Sequence, residues 1–523
     1  MTVESYRTST GTPCLSLTQY RVRRVLESLP GVMVWATLAA PFVLTAQLPH
    51  IAHWLLPLYV LYWMLQYVNL AVRQVWEFVR LRLRGREDWL ARARATHGED
   101  LDQLHHLVVF PTYNESPEIL RQSIGAIEDA NYDPRNITVC VTFEERSPVW
   151  TPDVIAELED RFRGSFARFL TTRHPDGLPG EERVKGANLT WGAQYARKVL
   201  HAAGLTDDQI VVSAFDADTR ASRDYFAALA DAHLSNPNRD YDAYQPILLF
   251  HNNVWDVPIA SRIVGSIATF WTMVDSTQPH RMKIFSSHAM GMKALVKVNY
   301  WCKTVIPDDS RQYWRMFFAF DGRTVVRPLH APVYLDAVQA ESYGKSLREQ
   351  YLQLRRWSYG VIDFTYIAEQ SLTSPKISFW FKALQLSRQY LQFQFWATTP
   401  LMLLIIPRLV GELHMIAPYD IIGGWIAPLL FGVSNVVSTA VLPVGLAVSV
   451  AVATALLPKR PAHRPWWWSV KVVAEWALMP IIVPLFICFP AIDAQTRLIF
   501  RRYLGFRVTV KQRTTIPAGS ELA

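Results

Sequence analysis

Long apolar runs constrain the fold of this chain most, because about twenty consecutive apolar residues can cross a lipid bilayer as a helix. Two such runs lie near the N-terminus, at about 30–48 and about 52–72. The link between them, 47–53, contains no Lys or Arg, whereas arginines flank both outer ends. This asymmetry predicts a helical hairpin that returns the chain to the cytoplasm. The alternative at this point is a pair of buried helices in a soluble domain.

The last third of the chain is again apolar. Further membrane spans are predicted at about 391–411, 416–434, 436–457 and 470–492. Together with the hairpin they make about six membrane helices, with both chain ends in the cytoplasm. The basic tail, 497–513, supports a cytoplasmic C-terminus. The loop with Lys459, Arg460 and Arg464 would then lie outside, against the same rule.

The middle of the chain is predicted to be a soluble α/β domain. Four apolar segments rich in β-branched residues are predicted to be strands, at 104–110, 137–143, 166–172 and 211–215. Ser116 followed by Pro117 and Glu118 is typical of a helix start after the first strand. Strands that alternate with helices predict a parallel, doubly wound sheet, whose strand ends share one ligand-binding edge.

Two carboxylates, Asp216 and Asp218, follow the fourth strand. Side chains at positions i and i+2 of an extended segment point the same way. Two carboxylates on one side repel each other unless a cation lies between them, and hard divalent ions prefer oxygen ligands and phosphates. The motif therefore predicts a Mg²⁺ or Mn²⁺ site for a nucleoside diphosphate. The alternative is a solvated loop, since Asp-x-Asp is common by chance.

Composition narrows the class of protein. A hydrophobic fraction of 50% and 19 Trp in 523 residues fit a membrane protein with a soluble domain. The net charge of +8 suits an anionic lipid surface or a phosphorylated substrate. No stretch has the pattern of a nucleic-acid-binding motif, so we expect no nucleic-acid partner. The four cysteines are scattered and predict neither a disulfide framework nor a thiolate metal site.

The chain resembles the membrane-embedded family 2 glycosyltransferases, the relatives of cellulose, hyaluronan and chitin synthases. The resemblance covers about 30–515 and rests on motifs in the family's order: PTYNE at 111–115, acidic residues at 144–145, Lys-x-x-Asn at 185–188, Asp-x-Asp at 216–218, an Asp pair at 308–309 and QxxRW at 353–357. It implies a GT-A-like cytosolic domain, interfacial amphipathic helices and a transmembrane bundle in the cell membrane. The implied segments are an N-terminal hairpin region (1–96), a transferase domain (97–345), interfacial helices (346–389), membrane helices (390–495) and a basic tail (496–523).

The resemblance implies that a UDP-sugar binds at the strand ends. The residues implied to contact the nucleotide are Thr112, Tyr113, Asn114, Glu115, Glu144, Glu145, Lys185, Asn188, Asp216 and Arg356, and Asp218 joins Asp216 at the metal. The family usually has Asp where this chain has Glu144 and Glu145, so GDP stays open as the alternative nucleotide. An ammonium at Lys185 suits a diphosphate.

The acceptor and the base are implied by later motifs. Asp309 is expected to be the general base, with Asp308 as its support. Ser287, His288, Gln353 and Trp357 are expected to line the acceptor site. The family more often has Gly near Ser287, which leaves the acceptor open.

The sequence therefore predicts an inverting, metal-dependent glycosyltransferase that makes and extrudes a polysaccharide. Two alternatives remain: a glycolipid synthase that transfers one sugar to a lipid, and a membrane scaffold that has lost activity. A further interfacial helix is predicted at 376–388. Accessory subunits and oligomeric state are not predicted.

Overall fold

The computed structural model describes residues 16–416, 426–462 and 464–505. Three parts of the sequence interpretation therefore lie outside the described residues: Cys14, residues 417–425 of a predicted span, and the basic tail beyond residue 505.

The helices are numbered in chain order. They are α1 (Leu17–Gln47), α2 (Pro49–Arg84), α3 (Trp89–His97), α4 (Glu99–Gln103), α5 (Pro117–Glu128), α6 (Pro152–Arg161), α7 (Lys185–Ala202), α8 (Tyr225–Leu234), α9 (Ile259–Ser276), α10 (Met292–Lys297), α11 (Asp308–Ala319), α12 (Tyr343–Ser358), α13 (Asp363–Thr373), α14 (Phe379–Ile416), α15 (Ile426–Leu456), α16 (Trp467–Ala474), α17 (Met479–Val483) and α18 (Phe489–Ile499). The strands are β1 (His105–Thr112), β2 (Ile137–Glu144), β3 (Arg168–His174), β4 (Ile210–Ala214), β5 (Arg220–Ala221), β6 (Ala243–Leu249), β7 (His288–Gly291) and β8 (Val326–Tyr334).

The strands form one sheet in the order β3-β2-β1-β4-β7-β6-β8-β5. The four strands predicted from the sequence are β1 to β4, and they are parallel to one another as predicted. The sheet as a whole is mixed, because β7 runs antiparallel to both of its neighbours and β5 runs antiparallel to β8. Six strands therefore end at the same edge: β1, β2, β3, β4, β6 and β8. The prediction of a wholly parallel sheet was wrong, because nothing in the sequence of 288–291 indicates that this strand runs antiparallel to its neighbours.

Helices cover both faces of the sheet. Alternate residues of β1 show this, since Val108 and Phe110 pack in one apolar core with α5, α6 and α8. Leu107 and Val109 pack in a second core with α7, α10 and α11. Such alternation is expected of a strand buried on both sides. The predicted architecture, an α/β domain combined with a helical bundle, is confirmed.

Four stretches of the described chain are long and apolar enough to cross a membrane: Leu17–Gln47, Pro49–Arg84, Leu429–Leu456 and Trp467–Ile499. Helices α2, α14 and α15 pack side by side around an apolar centre. Helix α2 continues to the α/β domain, where Leu81 packs against Leu249 of β6 and Phe270 of α9.

Two helix boundaries differ from the prediction. The boundary expected between two spans at Asn435 does not exist, because α15 runs through it. The Ser434 and Ser438 hydroxyls donate to main-chain carbonyls one turn earlier, so these polar residues stay within the helix. The interfacial helix predicted at 376–388 and the span predicted at 391–411 likewise belong to one helix, α14.

Candidate active site

The candidate site lies at the carboxyl edge of the sheet beside β1 and β4. From β1 the chain continues to β2 and β3 on one side, whereas β4 pairs with β1 on the other. In open α/β sheets, ligands bind at such a switch point. The start of α7 reaches this place because Gly186 has no side chain: a Cβ there would lie 2.2 Å from the carbonyl oxygen of Cys302. The close approach brings the neighbouring Lys185 to the start of α11.

Lys185 is the centre of a charged cluster. Its Nζ lies 3.1 Å from Asp216 Oδ1, 3.0 Å from Asp309 Oδ2 and 3.4 Å from Asp308 Oδ2. Burial opposes the charged form, but the three carboxylates outweigh it and hold the pKa of Lys185 well above its usual value. One ammonium thus bridges two motifs that are about ninety residues apart in the chain.

Asp308 and Asp309 begin α11 and differ in burial. The side chain of Asp308 is 6% exposed and that of Asp309 is 23% exposed. Burial, together with the negative charge of Asp309, raises the pKa of Asp308 to about 7, although Lys185 opposes this shift. Asp309 is therefore the carboxylate of this pair that is open to a ligand.

A buried ion pair fixes the first turn of α11. Arg311 Nε donates to Asp363 Oδ1 at 2.7 Å, and the Ser310 hydroxyl donates to Asp363 Oδ2 at 2.6 Å. Asp363 is fully buried at the start of α13. The position of Asp309 is thus tied to the helix that follows α12.

The two carboxylates of the Asp-x-Asp motif have different hydrogen-bond partners. The motif forms a turn, in which the N–H of Thr219 donates to the carbonyl of Asp216, so the extended segment assumed from the sequence is wrong. Asp216 accepts hydrogen bonds from Lys185 Nζ at 3.1 Å and from the Ser286 hydroxyl at 2.5 Å. Asp218 is 3% exposed, and its Oδ2 accepts the main-chain N–H of Asp336 at 2.8 Å.

The described residues contain no group of three or more His, Cys, Asp or Glu side chains arranged to hold a metal. Mg²⁺ typically binds through one or two protein carboxylates and takes its other oxygens from substrate phosphates and water. Asp216 and Asp218 supply hard oxygen donors of this kind, and Lys185 beside Asp216 supplies a positive charge for a phosphate. Their chemistry fits a metal ion that binds together with a diphosphate.

Ser287 and His288, predicted to line the acceptor site, lie beneath it. Ser287 is 1% exposed with a left-handed φ of 60°, and its Oγ lies 2.7 Å from Thr219 Oγ1. His288 is fully buried, and its Nε2 accepts from Trp301 Nε1 at 3.1 Å. The proton is therefore on Nδ1, which donates to the carbonyl of Phe285 at 3.0 Å and lies 3.6 Å from Asp309 Oδ1. Burial lowers the pKa of His288, although Asp309 opposes this, so the ring is a neutral support behind the carboxylate.

The turn after β1 holds the first predicted nucleotide residues. Asn114 is exposed at the sheet edge, while Glu115 folds back and its Oε2 accepts the main-chain N–H of Tyr113 at 2.7 Å. Thr112 is buried. Asn188, also predicted to contact the nucleotide, is 2% exposed and donates to the carbonyls at the ends of β1 and β2. It holds these strand ends together beneath the site.

Glu144, at the end of β2, has two basic neighbours. Its carboxylate lies 3.2 Å from Arg146 Nε and 3.6 Å from His174 Nδ1. Burial opposes protonation of His174, but Glu144 and Glu181 outweigh it and raise its pKa. Glu145, in contrast, is exposed, and its Oε2 accepts a main-chain N–H at 3.1 Å.

Helix α12 presents the QxxRW residues. Gln353 is buried, Arg356 is half-buried, and Trp357 packs partly buried against the sheet core and α9. Arg355 is bound to a neighbouring helix, since its Nη1 lies 3.0 Å from Asp493 Oδ2 of α18.

Sequence reasoning missed Ser286, Asp336 and Asp363, which hold the site residues in place. The positions of two of them in the chain were the available signal. Asp336 follows the end of a strand at the ligand-binding edge, and Ser286 directly precedes Ser287, a predicted acceptor residue. Asp363 carries no such signal, because its partner lies more than fifty residues earlier in the chain.

Solved structures with a similar outline include three of glycosyltransferases. The mannosyltransferase PcManGT from Pyrobaculum calidifontis, with GDP-Man and Mn²⁺, is 16% identical, covers 76% of this chain and 97% of its own, and has a TM-score of 0.42. Residues 1–349 of S. aureus TarS are 11% identical, cover 77% of this chain and 93% of their own, and have a TM-score of 0.34. The same TarS fragment with UDP-GlcNAc is 10% identical, covers 77% and 94%, and has a TM-score of 0.35.

No protein-family model matches the chain, and no curated protein sequence matches it. Likeness to solved structures at this level assigns no activity, so the function rests on the chemistry of the site.

Proposed function

We propose that this protein is a membrane-associated glycosyltransferase that moves a sugar from a nucleoside-diphosphate sugar, expected to be a UDP-sugar, to an acceptor hydroxyl. One observation carries the proposal. At the switch point of the sheet, a single half-buried ammonium, Lys185, joins the carboxylate expected at the donor, Asp216, to the carboxylate expected at the acceptor, Asp309, within 3.1 Å of each. Donor activation and proton removal need groups this close together.

On the donor side, Lys185 and Asp216 would bind around the diphosphate. A diphosphate that enters the site offers Lys185 a new anionic partner, which releases it from part of the carboxylate cluster. Asp216 and Asp218 would hold Mg²⁺ or Mn²⁺, which stabilises negative charge on a departing nucleoside diphosphate. Arg356 on α12 would supply a further cation to the departing diphosphate.

On the acceptor side, Asp309 would act as the general base. The acceptor hydroxyl oxygen bonds to the anomeric carbon while the bond from that carbon to the diphosphate oxygen breaks, and the hydroxyl proton passes to Asp309. One displacement of this kind inverts the anomeric centre. Asp308, His288 and Asp363 act through Asp309 or its helix and are positioning residues.

A glycan is the first candidate acceptor. Between the α/β domain and α14, Lys283 Nζ donates to Gln389 Oε1 at 2.5 Å and to Gln392 Oε1 at 2.9 Å. The rings of Trp271 and Trp396 meet beside them, with centroids 5.6 Å apart. Amides and aromatic faces together suit a sugar chain, whose surface alternates hydroxyls with apolar C–H faces.

A lipid acceptor is the second candidate. A cluster of buried apolar residues lies at the centre of the bundle, which favours release of the product into the membrane over passage of a polymer. The residues of this centre are Ala52, Leu56, Val60, Met64, Met402 and Ile406.

A donor and product assay tests the proposal. Purified full-length protein in lipid nanodiscs is incubated with Mg²⁺ or Mn²⁺ and a panel of radiolabelled UDP-sugars, with GDP-mannose as a further donor. Released nucleotide, product size and solubility in chloroform–methanol are measured. We expect nucleotide release with one UDP-sugar, and its loss both in excess EDTA and in Asp218→Asn.

Asp160→Asn is the matched control for these variants, because the Asp160 side chain is 69% exposed and far from the motif residues in sequence. Full activity in excess EDTA contradicts the metal. No nucleotide release with any donor, from protein that is folded by its melting curve, favours the inactive scaffold.

A further inference from the structure

We propose that the apolar stretch Trp467–Ile499 does not cross the membrane. Instead both of its ends lie at the membrane surface on the side of the α/β domain, and its middle packs between that domain and the membrane helices, with an apolar face in the lipid. Length and composition would allow this stretch to span a bilayer. Its contacts place both ends on one side, whereas Ala491 packs with Val34 of α1 and Ala397 of α14.

The stretch begins against the α/β domain. Just before it, Arg464 Nη2 lies 2.5 Å from Asp256 Oδ1. At its start, Trp468 Nε1 donates to the carbonyl of Trp255 at 3.3 Å. Val472, one turn later, is buried against Trp255 as well. These partners lie between β6 and α9.

The middle of the stretch follows α9 and α12. Arg262 of α9 and Glu475 form an ion pair in which both side chains are at most 6% exposed. Seven residues later, Ile482 is buried against Val264 of α9 and Leu354 of α12.

The stretch ends beside α12 and the first part of α1. Asp493 Oδ2 accepts from Arg355 Nη1 of α12 at 3.0 Å. The carbonyl of Leu498 accepts from Arg24 Nη2 at 2.9 Å. Arg24 is near the start of α1, on the same side as Arg23, whose Nε lies 2.5 Å from Glu369 of α13.

Prolines let the chain follow this course. Pro480, Pro484 and Pro490 lie within the stretch and divide it into α16, α17 and α18, with a π-helical turn at Pro484–Cys488. A straight helix of this length would reach about 50 Å. Proline removes a main-chain donor and bends a helix, so the broken stretch can turn back toward the domain.

The charges agree with this placement. If α1, α2, α14 and α15 cross, the basic residues that flank the stretch all lie on the side of the α/β domain: Lys459, Arg460, Arg464, Lys471, Arg497 and Arg502. The link between α14 and α15, residues 417–425, has no Lys or Arg in its sequence and would lie on the other side, as would 47–53. The conflict with the positive-inside rule that six spans create is thereby removed.

Lipid is the partner that fits the outer face of the stretch. Side chains along it that are exposed despite being apolar include Trp466 (73%), Val470 (59%), Ile481 (57%) and Leu485 (43%). Tryptophans beside basic residues at its start suit anionic headgroups, and the aliphatic residues that follow suit the acyl boundary.

Single added cysteines test the placement in sealed vesicles whose α/β domain faces outward, using a membrane-impermeant maleimide and the unaltered chain as background. Arg163→Cys reports the α/β side, because its side chain is 78% exposed. His50→Cys, at an exposed position in the first turn of α2, reports the other side. We expect Lys459→Cys and Arg502→Cys to be labelled as fast as Arg163→Cys, and His50→Cys only after detergent. Labelling of Lys459→Cys and Arg502→Cys from opposite sides would overturn the proposal.

A second measurement tests the lipid. Ile481→Cys carrying an NBD fluorophore, in nanodiscs that contain doxyl-labelled phospholipid, should be quenched severalfold more than the same fluorophore at Arg163→Cys. Absence of quenching overturns the contact with lipid. Disulfide-linked dimers of Ile481→Cys together with absent quenching would assign this face to a second copy of the chain. Neither measurement depends on transferase activity, so the two proposals fail separately.

Discussion

At the scale of single residues, the site depends on Asp309, the more exposed carboxylate of the pair that begins α11. Asp309→Asn keeps the shape and hydrogen bonding of the side chain but cannot accept a proton. We expect transfer to fall by about two orders of magnitude or more, while nucleotide binding persists. Single-turnover kinetics and calorimetric titration with UDP measure the two effects. Near-normal transfer would move the role of base to Asp308 or elsewhere.

The raised pKa of Asp308, the buried neighbour of Asp309, leads to a prediction about how stability depends on pH. Asp308 has a folded pKa of about 7 against an ordinary value of 3.8, so between these values the folded chain keeps a proton that the unfolded chain releases. Stability contributed by this group therefore falls as pH rises through that window. In metal-free protein, Asp308→Asn should melt like the wild type near pH 4 and several degrees higher at pH 8.

Thermal unfolding in detergent at several pH values checks this expectation, with Asp160→Asn as the control that should show no pH-dependent difference. A constant difference in melting temperature between wild type and Asp308→Asn at all pH values would contradict the burial of a protonated Asp308.

Residue types were predictable from the sequence, but their partners were not. The charges of Asp216, Lys185 and Asp309 stand out in their motifs, and the structure brings them together. The direction of Asp218 depends on a turn that starts at Asp216, two residues after the strand. The burial of His288 depends on an antiparallel strand whose neighbours lie far away in the sequence.

At the scale of elements, the close approach of α7 to the segment before α11 holds the site together. Gly186→Ala would place a Cβ 2.2 Å from the main-chain oxygen of Cys302, so α7 must move. We expect a loss of about 1–3 kcal/mol in stability and a fall of about tenfold or more in kcat, because Lys185 moves with the helix.

Gly344→Ala is the matched control for Gly186→Ala. Gly344 also lies in the first turn of a helix, α12, but a Cβ there meets nothing within 4 Å. We expect it to stabilise the protein by about 0.5–1 kcal/mol and to leave the rate unchanged. Equal effects of the two substitutions on melting temperature and rate would mean that close packing at Gly186 does not matter.

Elements with a strong local pattern were predictable, and boundaries set by packing were not. Strands β1 to β4 show apolar, β-branched runs between turns, and the structure has them within two residues of the predicted ends. One helix with Asn435 in its interior and two helices that meet at Asn435 would have the same amino-acid composition. Composition therefore does not distinguish them. The Ser434 and Ser438 hydroxyls donate to carbonyls of their own helix, which allows one continuous helix. No periodic pattern in the sequence reveals such hydrogen bonds.

At the scale of the whole molecule, the α/β domain and the apolar helices share one interface. Asp363 links α11 to α13, Arg23 links α13 to α1, and Asp493 links α18 to α12. The first link holds the first turn of α11, and the other two join α1 to α13 and α18 to α12. Helix α12, which carries Trp357, is thus held by α18 and also packs on α9.

This arrangement leads to a prediction about the product. Trp357 is half-buried beside the site, and an aromatic face there can stack on the C–H face of an acceptor sugar. If the acceptor is a growing glycan, Trp357→Ala should shorten the product severalfold or abolish long product, while nucleotide release falls less. Trp357→Phe keeps an aromatic ring and should restore part of the length.

Gel filtration of radiolabelled product and its partition between water and chloroform–methanol measure these effects. Trp380→Ala is the control, because Trp380 is 80% exposed at the start of α14 and away from the site. A glycan stays in the aqueous phase because its hydroxyls outnumber any apolar anchor, whereas a lipid with one sugar keeps the solubility of its acyl chains. Wild-type label found only in an organic-soluble, single-sugar lipid would therefore contradict the glycan acceptor. In that case Trp357→Ala should change the KM for the lipid and leave product size unaltered.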